Sequence, residues 1–337
     1  MEQIWIAKAG GPENLQLRSA DDPVPAPGEI VIDVRSAGVN FADVLARMGR
    51  YPDAPPIPCV VGYEVAGTVA EVGRDAPFAR GDRVVALTHF GGYSTKVRVP
   101  ANQVFRMPDG MSYSEAAAIP VSYFTAYLAA IRFGNVQTGE RVLVHNAGGG
   151  AGVAAVQLCI EAGAIVYGTA SAWKHDRLRE LGVGETIDYR SVDWVDEVLR
   201  RTDGAGVHVI VDPIGGKNLS RDLRVLAPLG RLIAFGFSEP VRNGSRPFLA
   251  TLRSLLRMPR PHMLTLLNNN WSIAGLNMGH LWSEIDRLRA AAEAVLASYD
   301  RGHVRPVIAA EIPFHDAAEA HRTLEDRKNL GKVVLVR

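Results

Sequence analysis

The stretch VLVHNAGGGAGVAAVQLCIEAGAIVYGTASAWK, Val142 to Lys174, decides the fold. An apolar run enters a cluster of four glycines, an alanine-rich helical pattern follows, and a second apolar run closes the unit. Strand, glycine turn, helix and strand in that order read as the start of a nucleotide-binding βαβ unit. Glycine permits positive φ and close approach of the main chain to a pyrophosphate. The helix N-terminus adds free N–H groups and the positive end of its dipole. Candidate contacts are Ala147, Gly148, Gly149, Gly150, Ala151 and Gly152. The Gly215–Asn218 stretch GGKN is not a phosphate loop of the Gly-Lys-Ser/Thr kind, because Asn follows the lysine.

The end of the second strand reads on the choice of nucleotide. An NAD site usually places an acid about 20 residues beyond the glycines, to hold the ribose 2′-hydroxyl. No Asp or Glu stands between Gly163 and Lys174. Ser171 and Lys174 stand there instead, a hydroxyl and a charge suited to a 2′-phosphate. A lysine in the first turn of a helix is poorly placed against the dipole, and a bound anion would relieve that misfit. The expectation is NADP(H).

Working outward, strand and helix patterns alternate from about Tyr123. Strands are expected at Arg141–His145, Ala164–Thr169, Glu185–Asp188, Val207–Val211 and Arg231–Phe235, with helices at Ala151–Ala162, Lys174–Leu181, Val192–Thr202 and Leu219–Leu226. This predicts a doubly wound parallel sheet, a Rossmann cofactor domain over 123–278. A basic, irregular insertion at about 239–270 interrupts it before a last strand, Trp271–Leu276. Residues 1–122 are mostly β, with short runs such as Glu29–Val34, Val65–Val72 and Arg83–Leu87 between turn signals, which suggests a compact antiparallel β-barrel. The prolines of YPDAPPIP, Tyr51–Pro58, predict a rigid extended loop. Residues 279–337 carry an amphipathic helix over Leu281–Tyr299 and a final strand, GKVVLV, expected to return to the first domain.

Bulk composition narrows the function classes. The 337 residues are 47% hydrophobic and 22% charged with a net charge of +1, an ordinary globular balance with no general case for nucleic acid or membrane partners. The start, MEQIWIAKAGG, lacks a signal-peptide pattern, so a cytoplasmic protein is expected. Cys59 and Cys159 fit no zinc spacing. His315 and His321, in HDAAEAH, lie six positions apart with no third ligand nearby and read as a surface helix.

Several motifs resemble the medium-chain dehydrogenase/reductases, over nearly the whole chain. APGEIVIDVRSAGVNFADVLARMGRYP resembles the start of that family's catalytic, GroES-like domain, and PPIPCVVGYEVAGTVAEVG its Gly-x-Glu signature. AGGGAGVAAVQL is similar to the cofactor turn of the quinone oxidoreductase (zeta-crystallin-like) branch, with VDPIGG and NLGKVVLV as later landmarks. Within the branch, NFADVLARMGRYP and GTASAWKH are most similar to the VAT-1 group. The resemblance implies NADPH-dependent hydride transfer to a quinone or related conjugated carbonyl. An enone or enoyl double-bond reductase is one alternative. A VAT-1-like protein that uses NADPH structurally and binds a lipid or partner through the basic insertion is another. It also implies a homodimer paired through the last strand of the cofactor domain.

Where metal-dependent members carry a zinc-binding Cys and His, the resemblance aligns Asn40 and Tyr63, which are not practical zinc ligands. No metal is expected. Asn40 and Asp43 are implied near the nicotinamide end, Asn40 as a contact to cofactor or substrate oxygens. Asp43 is read either as a site group or as a carboxylate that fixes a loop or pairs with Arg47. Tyr51 and Tyr63 are candidates for lining the site or donating a hydrogen bond. Further cofactor contacts implied by resemblance are Thr125, Tyr189, Asp212, Pro213, Ile214, Phe235, Gly236, Phe237, Asn277 and Asn329.

Overall fold

The computed structural model describes residues 1–236 and 261–337. Most of the basic insertion read at 239–270 therefore lies outside the described residues, as does Phe237. The chain divides into two compact units, Met1–Phe124 with Met278–Arg337, and Thr125–Asn277.

In the second unit a six-stranded parallel sheet runs in the order Glu185–Asp188, Ile165–Ala170, Arg141–Val144, Val207–Asp212, Leu226–Ala234, Ser272–Gly275. Its central strands, RVLV and VHVIVD, are buried nearly throughout, as parallel strands covered on both faces must be. The order reverses direction on either side of Arg141–Val144, so the doubly wound sheet has its switch point beside the strand that feeds the glycine turn. The helix after that turn, Gly150–Glu161, buries eight of its residues from Gly152 to Cys159. The helix read at Leu219–Leu226 is shorter, Asn218–Asp222, because the chain already enters the next strand at Leu226. Ser272–Gly275 forms an edge of the sheet, and the helix before it, Met263–Asn269, exposes Met263, Leu264 and Leu267.

The first unit is built on a seven-stranded sheet whose spine is Glu29–Val39. That strand pairs antiparallel with Glu64–Val72 along one side, and with Lys96–Pro100 and Lys332–Val336 along the other. Register shifts at Val31/Ile32 and Val34/Ser36 let one strand serve three partners, since bulges bend and twist a ladder. The C-terminal strand is thus integral to this unit: Val333 pairs with Val39, and Val336 with Ser36. Its core joins Ile4, Ile6, Ile30, Ile32, Val65 and Val333 from distant parts of the chain. The proline loop does not run extended as expected: it turns at Pro52 and Asp53, where the Ala54 N–H donates to the Tyr51 carbonyl at 3.1 Å, and it carries a cis peptide at Ile57–Pro58. Among the described residues no helix is long and apolar enough to cross a membrane.

Candidate functional site

The glycine turn of the second unit uses its glycines for space. None of Gly148, Gly149, Gly150 and Gly152 takes positive φ; the left-handed residue of the turn is Asn146, at φ 51°. Asn tolerates that region because its short polar side chain can hydrogen-bond locally. The Gly149 N–H donates to the Asn146 carbonyl at 2.8 Å, and Gly149 caps the helix that begins at Gly150. A Cβ on Gly152 would stand 2.1 Å from that same carbonyl, so only glycine lets the helix start so close to the turn. Ala147 is fully buried and donates its N–H to Thr169. Ala151 lies in the first turn of the helix.

Lys174 closes the turn from the side. A Cβ on Gly148 would come 2.5 Å from the Lys174 Cδ. Ser171 and Lys174 are 6% and 5% exposed, in a short 3-10 turn that precedes the helix His175–Glu180. Lys174 is therefore a buried lysine laid across the glycines, and not a solvated lysine in a first helical turn. Its Nζ also lies 5.1 Å from the centroid of the exposed Trp173 ring. A backbone cradle thus stands beside a buried ammonium and a hydroxyl, with no acid between Gly163 and Lys174, and suits the phosphates of a nicotinamide dinucleotide.

Apart from Thr125, which lies in the helix Pro120–Ala126, the other expected cofactor residues of this unit that are described stand at the carboxyl ends of its strands. Asp212 ends one strand, and its carboxylate accepts the N–H groups of Ile214 at 2.6 Å and Gly215 at 3.1 Å, folding Pro213 and Ile214 into a tight turn. The next strand end is tied to it, for the Phe235 N–H donates to the Asp212 carbonyl at 3.0 Å with Gly236 following. Asn277 is exposed just beyond the last strand, Tyr189 is 37% exposed just beyond Glu185–Asp188, and Thr125 is buried. Behind the turn lies a pair the sequence reading did not single out. His145 Nε2 is 2.8 Å from Asp222 Oδ1, and His145 Nδ1 is 3.0 Å from the Thr169 hydroxyl. Burial pushes the Asp222 carboxyl up to about 7. Burial works against the His145 cation, yet the charge and hydrogen bond of Asp222, with the charge of Asp212, together outweigh it and leave His145 above its ordinary range.

In the first unit Asn40 opens the helix Phe41–Arg47 as its N-cap, and its amide is engaged on both atoms. The amide nitrogen donates to Glu64 Oε1 at 2.9 Å, and Lys332 Nζ donates to Asn40 Oδ1 at 2.6 Å. Lys332 also pairs directly with Glu64, and both groups are buried, at 4% and 0% exposure. The second Glu64 oxygen accepts the Val121 N–H at 2.7 Å. Glu64 and Lys332 stand inside GYE and NLGKVV, yet nothing local in either motif indicates that they meet.

Asp43 is buried in the same region. It accepts the N–H groups of Asn40 at 2.8 Å and Gly62 at 3.1 Å, and lies 3.3 Å from the Tyr93 hydroxyl. It thus fixes the loop before Tyr63. Arg47 turns away from it, to Glu325 at 2.7 Å and the Gly10 carbonyl at 2.9 Å. Burial raises the Asp43 carboxyl to about 7, against the pull of these hydrogen bonds and of the Lys332 charge. Tyr93 continues to His321 Nε2 at 3.2 Å. His321 is fully buried, and burial, with Arg47 nearby, lowers it to about 3. Of the two histidines of HDAAEAH, the surface reading holds only for His315. The helix Ala317–Glu325 turns Ala317, Ala320 and His321 inward as one stripe. Asn329 closes its own turn by donating to the Gly331 carbonyl at 2.8 Å.

Tyr51 and Tyr63 meet edge to face with ring centroids 6.2 Å apart. The Tyr63 hydroxyl is buried, and the Tyr51 hydroxyl that acts on it does so without normal hydrogen-bond geometry. No cluster of three or more His, Cys, Asp or Glu side chains among the described residues could hold a metal ion.

Family models match two segments, an alcohol dehydrogenase GroES-like domain over residues 26–109 and a zinc-binding dehydrogenase domain over 181–335. The human synaptic vesicle membrane protein VAT-1 homolog is 39% identical over 324 residues, which span 96% of this chain and 82% of that protein. The chain belongs to the medium-chain dehydrogenase/reductases. Within that family it sits in the quinone oxidoreductase-like branch, close to the VAT-1 homologues. Human quinone oxidoreductase is 31% identical over 341 residues, covering 100% of this chain and 98% of that one. Among solved structures, Escherichia coli quinone oxidoreductase complexed with NADPH superposes with a TM-score of 0.87 at 28% identity, each chain covered in full. CurK enoyl reductase superposes with a TM-score of 0.84 at 27% identity, covering 99% of this chain and 98% of that one. As a medium-chain reductase the chain keeps the family's Gly-x-Glu glutamate, Glu64, and pairs it with a lysine.

Proposed function

We propose that the protein is an NADPH-dependent, zinc-independent oxidoreductase that reduces quinones or related conjugated carbonyl compounds. The observation that carries this reading is the cradle of Gly148 and Gly152 with the buried Ser171 and Lys174. Backbone N–H groups at the start of Gly150–Glu161 would hold the pyrophosphate, and Ser171 with Lys174 the 2′-phosphate. NADPH, when bound, supplies the hydride; the protein supplies orientation and polar partners. Conjugated acceptors suit such a site, since delocalisation stabilises the anion formed on reduction without a Lewis acid. The quinone oxidoreductase relatives, one solved with NADPH, support the same activity.

Zinc independence has its own support. The positions at which metal-dependent members place ligands carry Asn40 and Tyr63, and Asn40 already accepts from a buried ammonium, Lys332. A divalent cation there would meet a resident positive charge. The enoyl reductase neighbour supports a second reading, reduction of a carbon–carbon double bond conjugated to a carbonyl. The edge strand Ser272–Gly275, beside the exposed Met263, Leu264 and Leu267, supports a homodimer. Light scattering of the purified chain reads that state.

NADPH oxidation by chelator-treated protein tests the main reading, with a quinone, an enone and NADH run in parallel. Turnover that prefers NADPH and survives chelation is expected. A hydroquinone product separates the first reading from the second, whose product is a saturated ketone. Tight NADPH binding with no turnover of any acceptor would refute both.

A further inference from the structure

The first unit holds an aromatic ladder that runs from its interior to its surface. Beyond the Tyr51–Tyr63 contact, Tyr63 lies 5.2 Å from Phe90, Phe90 4.7 Å from His89, and His89 4.9 Å from Trp282, all between ring centroids. The five rings come from three separate segments: the proline loop with the strand after it, the turn beyond Arg83–Leu87, and the segment following Met278–His280. The last segment is pinned to the proline loop by His280 Nε2, 3.0 Å from Asp53 Oδ1. Tyr63 is buried, Tyr51, Phe90 and Trp282 are half-buried, and His89 is exposed.

Two donors in this ladder lack an acceptor at normal hydrogen-bond geometry. The Trp282 Nε1–H and the Tyr63 hydroxyl are buried, and the latter has only the poorly aligned Tyr51 hydroxyl nearby among the described residues. Buried donors are rarely left unpaired, because each carries the full penalty of its desolvation. Two of them on one run of rings indicate a ligand that brings oxygen acceptors. The rings themselves favour a flat π-system that stacks or meets them edge to face.

We propose that this ladder is a recognition face for planar, fused-ring acceptors that bear carbonyl oxygens, and that Trp282 and His89 determine specificity for them over small acyclic enones. The inference rests on the proposed reductase reading for its consequence in turnover, though not for binding.

Equilibrium binding of 2-methyl-1,4-naphthoquinone to the whole chain, with oxidised NADP present so that no turnover occurs, tests it directly. Trp282→Ala is expected to weaken binding about three- to tenfold, the loss typical of an aromatic contact. Trp282→Phe should recover the stacking part, and His89→Ala should weaken binding by a smaller factor. Affinity for pent-3-en-2-one and for NADPH should stay unchanged in all three. Naphthoquinone affinity unchanged in both Trp282→Ala and His89→Ala, with melting temperatures at the wild-type value, would overturn the proposal. So would equal weakening of the acyclic enone, or a wild-type chain that does not bind the naphthoquinone. Binding that follows the expected pattern without turnover would refute the reductase reading and leave the recognition face standing.

Discussion

Replacing Lys332 with methionine isolates the energetic role of the buried charge pair. Methionine fills similar volume and removes only the ammonium. Glu64 would then keep the N–H groups of Val121 and Asn40 but lose its counter-charge, at 0% exposure. Removing one partner of a buried ion pair costs about 3–5 kcal/mol, because the remaining charge is stranded. Stability of a body of roughly 150–250 residues moves by about 2–4 °C per kcal/mol, so the first unit should melt about 6–20 °C lower. Calorimetry is the suitable assay, since the chain has two units and only the transition of Met1–Phe124 with Met278–Arg337 should shift. The double variant Lys332→Met, Glu64→Gln should recover much of the loss, because a neutral amide in that place strands no charge. A Lys332→Met melting point within about 2 °C of wild type would refute the reasoning, as the pair would then be worth no more than a surface ion pair.

Asp43 predicts a pH dependence. Its carboxyl is raised by burial from 3.8 to about 7, so the stability it contributes is fully present below pH 3.8 and is lost as pH rises through about 7. At about 1.4 kcal/mol per unit the loss approaches 4 kcal/mol, and Asp43→Asn should flatten that slope in urea titrations between pH 4 and about 7.5. Gly152→Ala should cost about 1–3 kcal/mol through overpacking against the Asn146 carbonyl, and should weaken NADPH binding at least about tenfold in a fluorescence titration. Unchanged binding there would remove the turn from the cofactor site. Lys174→Met should erode the preference for NADPH over NADH by about 10- to 100-fold in binding, since a charge-assisted hydrogen bond is worth about 1.5–3 kcal/mol. Equal loss of affinity for both nucleotides would indicate that Lys174 serves the turn and not the 2′-phosphate.

The Rossmann half was legible because its signals are local. Val142–Val144 and Val207–Val211 are apolar runs of strand length, the pattern of a parallel strand buried on both faces. The glycines were legible as a turn but not in their cause. Periodicity cannot tell that Asn146 takes the left-handed conformation while Gly152 yields room to a carbonyl. His321 was open to a better reading. Ala317, Ala320, His321 and Leu324 recur at i, i+3, i+4 and i+7, an inward stripe that carries the histidine with it. Arg47 and Asp43, four apart on one short helix, suggested a pair. The structure gives each a separate long-range partner, Glu325 for one and the loop at Gly62 for the other.

The charges of the first unit were the least legible, and they carry the most chemical meaning. Glu64 and Lys332 are separated by 268 positions, and only the pairing of Lys332–Val336 with Glu29–Val39 brings the lysine to Asn40. Their arrangement has a consequence for proton traffic. Asp43 at about 7 and a neutral His321 are linked through one tyrosine hydroxyl. When Asp43 is ionised, Tyr93 must donate to it, and His321 Nε2–H must then donate to Tyr93. When Asp43 is protonated it can donate to Tyr93, which then donates to an unprotonated Nε2. One proton at Asp43 thus permits the reversed chain, in which the His321 proton sits on Nδ1, the atom left without a partner among the described residues. The ionised form spares His321 an unsatisfied N–H, and the protonated form spares Asp43 a buried charge. Burial of the Asp43 carboxylate, opposed by the Asn40 and Gly62 N–H groups and by the Lys332 charge, sets its titration near neutrality, beside the loop that carries Tyr63.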